Sequence, residues 1–434
     1  MASPKQKNII AQLKGLRGSN ALPVVLFEPT WSIPYGLYSF YLSLYMKSQG
    51  VTDVQIGFLI SLNFIVGTVT ALFAGVVADK LGRRKGCVIF SVLSWPGSVL
   101  LNLLARGFWG FALAQTVCAF GKISDISWQL TTIEDANDEQ RLTAFNLFGI
   151  IDILSGFVTP IAGIVVANMG LAAAERTFLL ISFFVMGIGS IWRYFCVKET
   201  AMGRIAMAES RSVSYWGAMK RSLAQMKGAL LGGNRRLQTV LAIIVLFYAY
   251  QPIGAFSSLY FAPYLTDVVG LDTAVISILG TVNSLVMLAV YLFLIPALSG
   301  ANKLFSLIVG LSLQILSMLS RVLIPHGSFG WTVVSVGLFA LGFGLCRPFL
   351  DALMAEATPD ADRAGVYALK NLLISLFSAL AGSLSGFLYQ LNPDSIYLAS
   401  VLILAASIAL ICIYSFRSGP EPGQAMRSIS SSNS

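Results

Sequence analysis

The sequence predicts an all-α membrane protein of twelve transmembrane helices, arranged as two pseudo-symmetric six-helix bundles. Three observations predict it. Hydrophobic residues are 56% of the 434 and charged ones only 11%, under half the share of a soluble domain. Apolar runs long enough to cross about 30 Å of hydrocarbon recur along the whole chain. A shift of about 220 residues also overlays the second half on the first.

The runs lie at 22–45, 54–78, 87–105, 108–132, 142–168, 177–197, 238–265, 272–297, 303–323, 330–355, 366–390 and 395–416, and are numbered helices one to twelve. The first is too long for a signal peptide and lacks an Ala-x-Ala-like cleavage site, so it reads as helix one. The organisation that follows is an N-terminal tail (1–21), a first bundle (22–197), a linker (198–237), a second bundle (238–416) and a tail (417–434). If both termini are cytoplasmic, 21 of the 29 Lys/Arg lie in inner segments and four (Lys47, Arg106, Arg176, Arg321) in outer loops. That bias places the termini inside, with a plasma-membrane location expected. Anionic lipid explains the net charge of +9, and no nucleic-acid partner is expected. Cys87, Cys118, Cys196, Cys346 and Cys412 fall in apolar runs without metal-ligand spacing, so neither disulfide, metal nor cofactor is expected.

Under the shift, Gly50 falls on Gly270 and Asn63 on Asn283; with a two-residue slip, Glu134 falls on Glu356 and Arg141 on Arg363. Parallel repeats of this kind build secondary transporters. In the linker, Trp216, Met219, Leu223, Met226 and Leu230 share one helical face, with Lys220, Arg221 and Lys227 elsewhere. This reads as an amphipathic helix on the inner membrane surface, and the N-terminal tail has a similar pattern. The Gly/Pro/Ser-rich C-terminal tail is expected to be disordered.

Between helices two and three the chain reads Gly75-Val-Val-Ala-Asp79-Lys80-Leu81-Gly82-Arg83-Arg84. The pattern Gly-x-x-x-Asp-Arg/Lys-x-Gly-Arg-Arg/Lys in this place resembles the signature loop of the major facilitator superfamily. The resemblance implies a twelve-helix transporter rocking two halves about a central site, with helices one, four, seven and ten lining it. It also implies a gating loop in which Gly75, Asp79, Gly82, Arg83 and Arg84 hold the outward-facing state through neighbouring helix ends. The loop after helix eight, Leu298-Ser-Gly-Ala-Asn302-Lys303, lacks the acid and the Arg pair, so the charged device is expected in the first half alone.

Ionisable residues inside a membrane are costly and point to function. Glu28, Lys122, Asp125, Asp152, Arg347, Asp351 and Lys370 lie within runs. Lys122 with Asp125, and Arg347 with Asp351, share helix faces and could each close within their helix. Asp125 overlays Arg347 in the repeat, so the alternative is an ion pair between halves at an inner gate. Asp152, without a charged neighbour on its own helix, is the proton candidate; Glu28 is its rival, and Lys370 reads as a snorkelling lysine. Asn63 and Asn283 form a symmetric amide pair, while Trp31, Tyr35, Tyr250 and Gln251 add aromatic and polar lining. Pro29, Pro34 and Pro252 are expected to loosen helices one and seven.

Similarity to the antiporter subgroups is weaker. Gln115 stands where they carry an arginine, and Ser155-Gly-Phe-Val-Thr159-Pro160-Ile-Ala-Gly163 keeps only part of their glycine-rich motif. The expected function is secondary transport of a small molecule by a monomer in the lipid bilayer, coupled to protons. Multidrug efflux and a non-transporting, transporter-like sensor are the alternatives. An enzyme is not expected, since His326 is the only histidine and no nucleophile constellation accompanies it.

Overall fold

The structure, a computed structural model, describes residues 9–210, 214–217, 220, 223–224, 227–228, 235–298, 302–358 and 363–418. Among the described residues there are helices and no strands. Ten helices are long and apolar enough to cross a membrane, among them Asp53–Leu81, Glu139–Met169, Leu171–Cys196, Thr273–Ala297, Phe329–Met354 and Val366–Leu391. The two other expected crossings are present but interrupted. Helix one is built from Ala21–Phe27, Pro29–Tyr38 and Leu42–Ser48, and helix four from Gly107–Ala119 and Gly121–Ile133.

The interruptions have local causes. Pro29 lacks an N–H and opens a new helical piece directly after Glu28, where no donor is needed. Pro252 does the same in helix seven, which runs Arg235–Ala249, Gln251–Gly254 and Phe261–Asp267. Across that last gap Ser258 donates to the carbonyl of Pro252 at 2.7 Å. Helix five narrows to a 3-10 turn at Gly156–Val158, just before Thr159 and Pro160 restart it. These soft points all lie on helices that flank the centre of the molecule.

At the end that carries the chain termini, here the terminal end, Leu16 of the N-terminal tail is buried with Val24, Val25, Leu147 and Phe148. Only part of the expected linker helix is described. Trp216 sits edge-on to Phe73 at 6.1 Å, and the Lys80 ammonium covers the Tyr215 ring at 4.5 Å. Met219, Arg221, Met226 and Leu230 lie outside the described residues, as does the C-terminal tail beyond Ser418.

The halves meet closely at the opposite, distal end. Helix two packs on helix eleven so tightly that a Cβ on Gly57 would stand 2.6 Å from the Gly382 carbonyl oxygen. One turn on, the Ser61 hydroxyl reaches the Ala379 carbonyl at 2.5 Å. Helix eight packs on helix five in the pseudo-symmetric manner, where a Cβ on Gly163 would stand 2.6 Å from the Ala274 carbonyl oxygen. Small residues at both crossings let backbones approach as membrane helices require.

Candidate functional site

Between the halves lies a cavity of about 800 Å³, within the roughly 300–1,000 Å³ usual for small-molecule sites. Of the expected site residues, Trp31, Tyr35, Asn63, Asp152, Gln251 and Asn283 line it. Asp152 is exposed to this space in the last turn before the break in helix five, where Ser155 donates to its backbone carbonyl at 2.6 Å. The two amides of the repeat face the same cavity, and the Asn63 amide donates to the Gln115 side-chain oxygen at 3.1 Å. Trp31 stacks on Tyr35 at 5.1 Å and meets Trp95 edge-on at 5.0 Å.

Trp31 and Trp95 also border a second, smaller cavity of about 160 Å³ inside the first bundle. It is lined by Glu28, Asp125 and Arg193. Arg193 donates to the Ser91 hydroxyl at 2.8 Å. The paired tryptophans are thus the partition between a charged chamber and the central space.

The remaining expected residues are placed differently. Lys122 approaches Asp125 at 3.9 Å, and both are partly exposed. Arg347 and Asp351 are exposed outside the central cavity, with Arg347 in electrostatic reach of Asp152. No ion pair between Asp125 and Arg347 occurs among the described residues in this conformation. Tyr250 turns away from the cavity, fully buried, with its hydroxyl on Gln314 of helix nine. An aromatic residue on helix seven has two faces to choose from, and this one satisfies its polar atom in the bundle core.

A family description, Major Facilitator Superfamily, matches residues 32–347 and 242–428. The chain belongs to that superfamily. Among solved structures it resembles the nucleoside transporter NupG (13% identity, TM-score 0.67, covering 93% of this chain and 100% of that one). It also resembles a POT family transporter in complex with a thioalcohol-conjugated peptide (13%, 0.67, 90% and 94%). A third is a mutant peptide transporter POT in complex with alafosfalin (17%, 0.65, 94% and 97%). At such identities the likeness is one of fold. No curated protein sequence matches.

In this major facilitator protein the distal end of the cavity is shut by contacts between halves. Tyr41 of helix one donates to the Thr273 carbonyl at 2.7 Å, and Tyr260, beside helix seven, donates to the Asp53 carbonyl at 2.7 Å. The two acceptors are images of each other under the repeat, each the first residue of a helix in the other half, while the two tyrosines are one position out of register. Lys47 bridges Asp53 at 2.9 Å and Asp267 at 2.7 Å. Lys47 and Asp267 are 220 positions apart and so are equivalent positions that meet at the axis. Burial works against the Lys47 charge, but the hydrogen bonds to Asp267 and Asp53 outweigh it and raise its pKa.

The signature loop does something else. Arg83 holds Asp79 at 2.6 Å and Glu134 at 3.0 Å, and the Glu199 carboxylate accepts from the backbone N–H groups of Arg83 and Arg84 at 2.8 and 3.0 Å. Arg84 donates to the Tyr194 carbonyl at 2.9 Å and lies on its ring. Gly82 takes a φ of 85°, where a Cβ would stand 2.6 Å from Glu199; only glycine fits there. Gly75 has open space around it and no such constraint. The second half is not without a counterpart, contrary to expectation: Lys303 pairs with Glu356, the positions matching Arg83 and Glu134. A lysine in place of the arginine pair kept the ion bridge while removing the recognisable motif.

Sequence reading missed several groups. Arg321, expected in an outer loop, is 1% exposed, donates to the Gly254 carbonyl at 2.6 Å where helix seven breaks, and faces the rings of Phe261, Phe339 and Tyr397. Glu175 is also fully buried. Both sit within a turn or two of a helix end, where a run of apolar residues no longer marks depth. The Lys47–Asp267 pair did carry a signal: opposite charges at equivalent positions of the repeat.

Proposed function

We propose that this protein is a secondary active transporter, moving a small solute by alternating access under a proton gradient, with both termini in the cytoplasm of the cell it serves. The carrying observation is Asp152, the only acid among the described residues lining the central cavity, placed at the break in helix five. A carboxyl group that meets solute and solvent in one cavity can exchange a proton as its surroundings change. With the termini inside, as proposed, the distal closure corresponds to an inward-open state. In the opposite state, closing of the terminal end would bring helices four and ten together and allow Asp125 to exchange Lys122 for Arg347. The resemblance to nucleoside and peptide transporters supports a small polar cargo.

The test is reconstitution in vesicles with an imposed pH gradient and a panel of labelled sugars, nucleosides, amino acids and dipeptides. Asp152→Asn, an analogue of the protonated acid, is expected to abolish accumulation while leaving exchange measurable. Accumulation at the wild-type level in that variant removes Asp152 from coupling. Orientation is read separately: cysteines at Ser48 and Gly327 label from outside intact cells, and one at Lys85 does not.

A further inference from the structure

Four polar side chains come together beside the central cavity, each at an irregular turn of its helix. Asp152 precedes the 3-10 turn of helix five, and Tyr248 stands just before the break in helix seven. Tyr291 lies in a π-helical turn of helix eight, Val290–Leu294. Arg347 is followed by Pro348, which removes a backbone hydrogen bond inside helix ten. Turns of these kinds recur where a helix re-aims side chains for function. Asp152 and Tyr248 line the cavity. Arg347, exposed beside it, is in electrostatic reach of Asp152, Tyr248 and Tyr291, which come from both halves.

Among the described residues none of these four side chains makes an ion pair or a hydrogen bond. An arginine within a membrane helix is costly and points to function. A guanidinium with two phenol hydroxyls at hand is a donor set for an anionic oxygen pair, above all a carboxylate. Charge decides which anion fits. Asp351, one turn on from Arg347, is in reach of the same two tyrosines and of Lys370 on helix eleven. Two formal cations therefore face two acids, Asp351 and Asp152. A proton on Asp152 leaves the cluster with one net positive charge, enough to hold a singly charged anion. An ionised Asp152 leaves it neutral and repels an incoming carboxylate. Anion loading is thereby linked to proton uptake.

We propose that Arg347, with the Tyr248 and Tyr291 hydroxyls, binds the carboxylate of a singly charged organic anion, which loads together with a proton on Asp152. This rests on the reading that the central cavity is the transport site and Asp152 its proton carrier.

Equilibrium binding to the purified full-length protein tests it, without any gradient. One probe set is N-acetylalanine, its neutral amide and the zwitterion alanylalanine; the other is glucuronate, methyl glucoside and glucose 6-phosphate. In at least one set the monocarboxylate is expected to bind at least tenfold more tightly than its companions. Arg347→Gln should lower that affinity to the level of the neutral companion, and Arg347→Lys should restore part of it. Tyr291→Phe should weaken the carboxylate about tenfold, as for loss of one hydrogen bond to a charged group, and leave the neutral companion unchanged. Wild-type affinity should fall with rising pH, by up to about tenfold per pH unit for one linked proton. Asp152→Asn should bind the carboxylate without that dependence. Tighter binding of the neutral, zwitterionic or phosphorylated companion in both sets overturns the proposal. So does carboxylate affinity unchanged in Arg347→Gln, pH dependence that survives in Asp152→Asn, or no carboxylate binding at millimolar concentration. If a carboxylate binds in this way but is never accumulated, the transport mechanism fails and this inference stands; if a neutral solute is accumulated and no carboxylate binds, the reverse holds.

Discussion

At the distal end Lys47 reaches Asp267 across the boundary between halves, whereas at the terminal end Arg83 is tied to Asp79 and Glu134 within one half. The side chains of the first pair are 27% and 46% exposed, and those of Arg83 and Glu134 only 7% and 11%. Solvent-exposed pairs contribute about 0–1 kcal/mol; a buried pair strands a charge when one partner is lost. On the proposed transport cycle, the ion pair that has to open is thus the weaker of the two. On the same proposal, the ion pair inside one half, which stays intact as that half moves, is the stronger. The two regions divide closure and stiffness between them.

The largest effect is expected on the stiff side. Arg83→Ala should destabilise the protein by about 3–5 kcal/mol by leaving the Glu134 carboxylate buried without a cation, its one remaining partner the Thr200 hydroxyl, measured as thermal or denaturant unfolding in detergent. Lys303→Ala, at the equivalent but exposed pair, should cost no more than about 1 kcal/mol. Equal losses would erase the distinction drawn between the halves.

Next comes distal packing. Gly57→Val places a side chain against the Gly382 carbonyl, and overpacking of this kind costs about 1–3 kcal/mol. The cost falls on the distally closed state, so labelling of a cysteine at Ser61 should increase. Unchanged labelling would mean that helices two and eleven do not form the closure.

The smallest effect belongs to the ion pair. Lys47→Ala should shift the balance toward distal opening by only about 0.2–1 kcal/mol, and less at high salt. Because the folded-state pKa of Lys47 is raised above its ordinary 10.5, its contribution is fully present below about pH 10 and is lost as pH rises through the folded value. Between pH 6 and 9 the Lys47 contribution should be flat, and distal opening that follows pH in that window would have to come from another group.

Much of the architecture was legible because it repeats one physical demand. Every apolar run had to bury its backbone polar groups in helices, and the loop motif and the 220-residue shift fixed how those helices pair. The site was legible in part. Asn63 and Asn283, Trp31 and Asp152 could be found because polar groups at mid-span are expensive. Asp125 and Arg347 were matched by the repeat and do not pair in this structure, while the same rule applied to Lys47 and Asp267 finds a contact that exists. Tyr250 could not be placed, because the rotation of a broken helix is set by its neighbours rather than by its own periodicity, and Arg321 could not because it stands at the end of an unbroken helix, where an apolar run no longer marks depth.

Lys47 and Asp267 stand near the pseudo-two-fold axis, so each meets the image of its own position. Two copies of the first half facing each other would set lysine against lysine, and two copies of the second would set aspartate against aspartate. Only the mixed pairing is free of repulsion at this point. At the strength of an exposed pair, this position adds only a small preference for joining unlike halves over joining two copies of one.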